Sequence, residues 1–306
     1  LMSVIGGILV ALLGQLAAGP LLGALGVPED VLPFALRYLR IYLLGMPALG
    51  LYNFGNAVLS AAGDTKRPLY YLLFSGVLNV LLNLLFVIVF RLDVVGVALA
   101  SIISQYVSAA LVVIHMMRLK DSCHFDFKEL RLDSLETRRI LGIGIPAGVQ
   151  YAIFSIANLF IQVGINSFDS VVVSGNSAAV NVDNVVYNVM AAFYTACSTF
   201  MSQNWGAGKH DRMIKSYYIS LGFAFVSAAV LSAAFWLGAG SFLSLFTNDA
   251  GVVDAGLKRL QIMCLSFPIS AFMDCTISAC RGIGRSLVPT IVVILGSCVF
   301  RVIWVY

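Results

Sequence analysis

The chain has 306 residues, of which 60% are hydrophobic and only 11% are charged, with a mean hydropathy of +0.93. A water-soluble domain is excluded, because such domains carry about 25% charged residues and could not hide this much apolar surface. The net charge of +4 does not indicate a nucleic-acid partner, since the Lys and Arg residues cluster in short segments between apolar stretches. The composition predicts an all-α membrane protein with many spanning helices.

Hydrophobic segments follow one another along the whole chain, each near or above the roughly 20 residues that cross a bilayer. The loops between them are mostly short and contain Gly, Pro, Asp or Asn, which favour turns. We therefore predict nine spanning helices, in segments 1–25, 31–62, 69–90, 94–117, 140–168, 174–203, 214–246, 252–281 and 288–306. The chain begins and ends inside apolar runs, so we expect it to be a fragment of a longer protein.

Basic residues alternate between successive loops. Almost all Lys and Arg residues of the loops lie in 63–68, 118–139, 204–213 (with Lys215 just beyond) and 281–288, whereas the intervening loops hold only Arg91. Cytoplasmic loops carry the excess of Lys and Arg in membrane proteins. We therefore place these four loops in the cytoplasm, and the chain as a multi-pass protein in the cell inner or plasma membrane.

One stretch of the chain is repeated near its end. A Pro–Gly–Pro triple returns at a constant offset of 221 residues, as Pro47, Gly63 and Pro68 and then as Pro268, Gly284 and Pro289. Duplicated halves are typical of secondary transporters. We predict two pseudo-symmetric lobes, with a partial N-lobe at 1–117, a cytoplasmic linker at 118–139 and a partial C-lobe at 140–306.

The two copies differ in charge. Asn53 and Ser60 in the first copy are answered by Asp274 and Arg281 in the second. Because the added charges lie in the second copy, we expect the second lobe to handle an ion.

Polar side chains at helical spacing indicate which helix faces point to protein or water rather than lipid. The stripes predicted to line a cavity comprise Asn53, Gln150, Asn158, Gln162, Asn181, Asn184, Asn188 and Ser270. Two interpretations stay open for them: a hydrated pocket, or hydrogen bonds that join helices. The rings of Tyr151, Phe154 and Tyr187 suit flat lipophilic cations, although such rings also pack in ordinary cores.

Three charged residues, Asp183, Asp274 and Arg301, lie inside predicted spans. A charge at a helix centre costs roughly 2.5–3.5 kcal/mol even on the lenient insertion scale, so it usually pairs or lines an ion path. Our hypothesis is that Asp274 binds the cation or proton and that Asp183 assists. The alternative is a static pair, such as Asp274 with Arg301. Lys258 and Arg259 are expected to extend to the membrane interface.

Five blocks of the sequence resemble the multidrug and toxic compound extrusion (MATE) family. They are SAAGDTKRP at 60–68, LNVLLNLLFVIVFRLDVVGVALASIISQ at 78–105, GIGIPAGVQ at 142–150, SQNWGAGKHDR at 202–212 and CRGIGRSLVP at 280–289. The resemblance implies two six-helix bundles that face each other across a cavity, of which this chain covers the third to eleventh helices. It also implies an antiporter that exchanges Na⁺ or H⁺ for amphipathic, often cationic, organic compounds by alternating access.

The coupling ion cannot be transferred from the family, because Ser270 stands where one branch has an Asp. A lipid-linked saccharide flippase of the same superfamily is the alternative function, and it requires a basic cavity. We find no Ser–His–Asp order and no metal-ligand spacing, and so predict no enzyme, no bound metal and no cofactor beyond the transported ion. The expected partners are a small organic substrate and the lipid bilayer, around a monomer.

Overall fold

The computed structural model describes residues 1–24, 27–120, 123–244, 247 and 249–305. These form two compact units, Leu1–Ser134 and Leu135–Tyr306. Each unit is a bundle of long apolar helices, and the prediction of a polytopic helical membrane protein is confirmed.

The described part of the first unit contains five α-helices. They are α1 (Met2–Ala24), α2 (Leu32–Leu43), α3 (Met46–Ala61), α4 (Lys66–Leu84) and α5 (Asp93–Arg118). Helix α4 continues as a π-helical turn over Leu85–Val89. Helix α5 packs against α2, α3 and α4, and α1 packs against α2 and α3.

The second unit is built around three long helices that pack on one another, α7 (Ser170–Gly206), α8 (His210–Leu243) and α9 (Ala250–Gly282). It also contains α6 (Ser134–Ile165), α10 (Leu287–Val293) and α11 (Phe300–Val305), and a π-helical turn over Ile294–Val299 joins the last two. The buried core of this unit is formed mainly by Ala, Val, Met and Cys side chains of α7 and α9 with Ala side chains of α8.

The helix count differs from the prediction of nine spans. Among the described residues, seven helices are long and apolar enough to cross a membrane, and the bent pair α2–α3 makes an eighth. The predicted span 174–203 lies in α7, which is 37 residues long but fails this test. Its Asn residues and Asp183 lower the mean hydropathy.

Segment 31–62 was predicted as one helix but is broken, with a 45° bend between α2 and α3. Pro47 favours the break, because it lacks an N–H and its ring clashes with the carbonyl four residues earlier. That carbonyl belongs to Leu43, where α2 ends. Pro68 does not break a helix, because it lies in the first turn of α4, where a missing N–H costs little.

The turn that ends the repeated stretch has the same backbone geometry in both copies. Gly63 and Gly284 both adopt positive φ, at 93° and 80°. In each copy the next residue donates its backbone N–H to the carbonyl five positions earlier, Asp64 to Leu59 and Arg285 to Cys280, both at 2.9 Å. This arrangement is the Schellman motif, which ends a helix with a left-handed Gly.

Helices α7 and α9 approach closely because small residues meet between them. A Cβ atom on Gly175 of α7 would lie 2.7 Å from the Val252 carbonyl oxygen and 2.8 Å from the Gly256 backbone nitrogen, both on α9. Backbone atoms cannot move aside as a flexible side chain can. Glycine at 175 therefore sets the distance between the helices that carry Asp183 and Asp274.

We predict that Gly175→Ala destabilises the protein by about 1–3 kcal/mol, because overpacking forces the two backbones apart. The measurement is the melting temperature of the detergent-solubilised protein. Gly222→Ala on α8 is the matched control, since a Cβ atom added there would meet nothing within 4 Å. Equal melting temperatures for the two variants would contradict the close α7–α9 approach.

Candidate functional site

A buried glutamine on α6 joins three helices of the second unit. The Gln150 side chain is only 7% exposed. Its Oε1 accepts hydrogen bonds from Arg281 Nη2 of α9 at 3.0 Å and from Thr290 Oγ1 of α10 at 3.1 Å. The same Thr290 hydroxyl lies 3.4 Å from the Pro146 carbonyl oxygen, one turn earlier on α6. Gln150 therefore links α6 to α9 and α10, rather than facing an open cavity.

Two arginines lie over aromatic rings of α6. The guanidinium carbon of Arg281 is 5.8 Å from the centre of the Tyr151 ring, and that of Arg301 is 5.4 Å from the centre of the Phe154 ring. Arg301 Nη2 also donates to Asn158 Oδ1 at 3.0 Å. Each arginine is thus held by one amide oxygen and one ring face, both of which are neutral.

Asp274 lies half-buried on α9, two turns before Arg281. In the described ranges, no side chain donates a hydrogen bond to its carboxylate and no basic group forms an ion pair with it. Its electrostatic neighbours are Arg281, Tyr187 and Tyr194. The static Asp274–Arg301 pair considered from the sequence is not formed, because the Arg301 guanidinium is directed to Asn158 instead.

Asp183 has a direct partner. Its Oδ2 accepts from Arg259 Nη2 at 2.5 Å, and the two side chains are 19% and 27% exposed. The Arg259 guanidinium is thus directed to α7, and its extension to the membrane interface stays a prediction. The carboxylate of Asp183 on the neighbouring helix α7 contacts the half-buried Arg259 guanidinium and compensates its charge. Lys258 does point outward, 73% exposed and 2.7 Å from Asp254.

The remaining predicted residues divide into two groups. Ser270 donates to backbone carbonyls of its own helix, and Gln162 Nε2 donates to Asn166 Oδ1, in the turn after α6, at 2.8 Å. The others are exposed on their helices, namely Asn53 on α3 of the first unit and Asn181, Asn184 and Asn188 on α7, and Asn181 also donates to the Ser177 carbonyl at 3.3 Å. The structure thus brings together Gln150, Tyr151, Asp274 and Tyr187, and leaves the exposed asparagines outside this group.

From the sequence, Arg281 is predicted to lie in a cytoplasmic loop, and Thr290 is not among the predicted site residues. The structure places Arg281 in the last turn of α9, with its side chain directed to α6. The replacement of Ser60 by Arg281 between the two sequence copies was the available signal. No comparable signal marked Thr290, because a Thr one residue after a helix-starting proline is an ordinary sequence.

The first unit contains a separate polar cavity of about 330 Å³ between α2, α4 and α5. Asn79, Ser101 and Ser104 line it, and Asn79 Nδ2 donates to Ser104 Oγ at 3.3 Å. Ser75 Oγ and Gln105 Oε1 are buried there without a hydrogen-bond partner among the described residues. In that part of the chain no cluster of three or more His, Cys, Asp or Glu side chains is suited to hold a metal ion.

A family model and several known proteins match most of the chain. The MatE family model matches residues 1–85 and 146–306. The chain is 30% identical over 249 residues to the "Probable multidrug resistance protein YpnP" of Bacillus subtilis, covering 81% of this chain and 55% of that protein. It is 27% identical over 249 residues to the "FAD transporter" of Shewanella oneidensis, covering 79% of this chain and 54% of that protein.

A solved structure shows the same fold. It is the "Outward-facing conformation of a multidrug resistance MATE family transporter of the MOP superfamily", and it superposes with a TM-score of 0.92 at 21% identity, covering 100% of this chain and 68% of that one. The chain spans about half the length of the two relatives above. Because the family model matches most of the chain, the resemblance seen in the sequence is confirmed, and the chain belongs to the MatE family.

Proposed function

We propose that this protein is an ion-coupled antiporter that exports amphipathic, often cationic, organic compounds in exchange for Na⁺ or H⁺. The observation that carries the proposal is the Asp274 carboxylate, which lies half-buried in a spanning helix without a hydrogen-bond donor or ion-pair partner in the described part of the chain. Ionisable groups inside membrane spans are costly and usually mark ion or proton pathways.

The surroundings of Asp274 support binding of an ion in exchange for a solute. Its neighbours Tyr187 and Tyr194 supply hydroxyl groups, and Arg281 supplies a positive charge that competes with a bound cation. Exposed rings of Tyr151 and Tyr187 offer flat surfaces to an organic cation. Alternating access then requires one lobe to move relative to the other around the bound solute, as the sequence duplication leads us to expect.

We propose a structural role for Asp183. Because Arg259 already neutralises it, we assign it to holding α7 against α9 rather than to carrying the ion. The helix that bears Asp274 is thereby fixed to its neighbour by one ion pair and by the close approach at Gly175.

One observation favours the lipid-linked saccharide flippase as a second candidate. That function needs basic groups facing the interior to hold a diphosphate, and the sequence supplied only Arg301. The side chain of Arg281 is also directed toward α6, so the second unit holds two such groups. Flipping of a labelled lipid in vesicles, without any dye movement, would select this candidate.

For the proposed antiporter, we predict that Asp274→Asn lowers ion-driven efflux of a cationic dye about tenfold or more, because the amide cannot bind a cation or proton with a full negative charge. The measurement is dye efflux from proteoliposomes under an imposed Na⁺ or pH gradient. Asp254→Asn is the matched control, since Asp254 lies on the same helix but is exposed and paired with Lys258. Unchanged efflux in Asp274→Asn would remove Asp274 from the coupling step.

For Asp183, we predict that Asp183→Asn lowers the free energy of unfolding by about 1–3 kcal/mol, because the half-buried Arg259 loses its counter-charge. The double variant Asp183→Asn with Arg259→Gln should recover much of this loss, since no unpaired charge remains. The measurements are melting temperature and dye efflux. A double variant that is stable but inactive would place Asp183 on the ion path instead.

A further inference from the structure

We propose that Arg281 and Arg301, together with the rings of Tyr151 and Phe154, form a binding subsite for an elongated aromatic anion. The proposal rests on the transport function above and extends it, because it adds an anionic class of solute to the expected cations. The subsite lies along one face of α6 in the second unit.

Arg281 and Arg301 contact no carboxylate among the described residues. Arg259 and Arg301 both lie in membrane-spanning helices, but only Arg259 contacts a carboxylate, that of Asp183 at 2.5 Å. The side-chain hydrogen bonds of Arg281 and Arg301 go to neutral amides, and the Nε atoms of both are buried without a hydrogen-bond partner among the described residues. A half-buried charge without a contacting counter-charge is only partly compensated. An anionic ligand group would supply that counter-charge to the accessible part of each guanidinium.

The net charge along this face of α6 is positive. Arg281 and Arg301 each lie over a ring of α6, and Asp274 is an electrostatic neighbour of Arg281. The single carboxylate compensates at most one guanidinium. Asp274 lies on α9 beside Arg281, so Arg301 on α11 keeps its full positive charge. The cluster as a whole therefore favours a negatively charged guest.

Two aromatic rings lie beside the two arginines. Tyr151 and Phe154 are three residues apart on α6 and so lie on the same helix face. Each has a guanidinium within 6 Å of its centre, and Tyr151 remains 58% exposed. A planar aromatic solute can stack on the exposed ring while its charge reaches an arginine. This pairing of ring and charge favours a ring-bearing anion over a saccharide diphosphate.

The subsite is long in the direction of α6. The amides that hold the two arginines, Gln150 and Asn158, are eight residues apart on α6, about 12 Å at the helical rise. A solute that extends along α6, with its ring system beside the two charges, matches this shape.

The arginines are specific to the second unit. At the repeat offset of 221 residues, Arg281 and Arg301 are matched by Ser60 and Val80 in the first unit. A role in the shared architecture would place similar residues in both copies. The difference assigns these charges to a task that only the second unit performs.

The test uses two ligands that share one ring system. Flavin mononucleotide carries a phosphate at the end of the ribityl chain attached to a planar ring system, and riboflavin is the same molecule without the phosphate. Binding to the purified transporter in nanodiscs is measured by quenching of flavin fluorescence, without any ion gradient. We expect flavin mononucleotide to bind about tenfold more tightly than riboflavin, as one charge-assisted hydrogen bond supplies.

Substitutions locate the effect. Arg281→Gln and Arg301→Gln should each weaken binding of flavin mononucleotide about tenfold and leave riboflavin binding unchanged. Arg285→Gln is the matched control, because it removes one positive charge from the exposed turn after α9. Melting temperatures identify any variant that misfolds, and Arg301→Lys, which keeps the charge, should retain part of the affinity.

Several results would overturn the subsite. Equal affinities for the two ligands would show that the phosphate is not recognised, and a similar loss of both ligands in Arg301→Gln would show a structural role only. Displacement of flavin mononucleotide by equimolar pyrophosphate would show that the ring contributes nothing. None of these results depends on ion-driven efflux. They therefore do not change the outcome of the Asp274 coupling test, which is measured separately.

Discussion

The second unit depends on how a charge is compensated when it lies inside a membrane-spanning helix. Such a charge is unfavourable unless a partner offsets the loss of water. Arg259 is offset by a carboxylate, whereas Arg281 and Arg301 are offset only by amides and ring faces. Asp274 contacts no donor among the described residues. These three levels of compensation divide the charged residues into a fixed pair, two partly compensated cations and one available carboxylate.

The same compensation helps to hold particular helices together. The Asp183–Arg259 pair and the glycine contact at Gly175 both hold α7 to α9, one by charge and one by backbone proximity. Helix α6 is joined to α9, α10 and α11 mainly by single hydrogen bonds from Arg281, Thr290 and Arg301. Each of those bonds is weaker than a close-packed interface, so α6 is the helix whose contacts a bound solute can most readily replace.

The two transport proposals use different parts of this arrangement. Ion coupling needs the free carboxylate of Asp274, whereas recognition of an aromatic anion needs the guanidiniums and the rings of α6. Arg281 contributes to both, since it is the electrostatic neighbour of Asp274 and also lies over Tyr151. Occupancy of either site therefore changes the electric field at the other.

The sequence by itself determined the membrane class, the position of most helices, the repeated turn and the family. These features depend on composition, on apolar length and on local backbone rules such as a left-handed Gly at 63 and 284. Tertiary structure alone decided the partners of the charged residues. Sequence spacing places Asp183 and Arg259 on helices but not at a common depth and angle, so their ion pair was not predicted. The direction of Arg281 toward Gln150 likewise depends on how α9 packs beside α6, which no local pattern encodes.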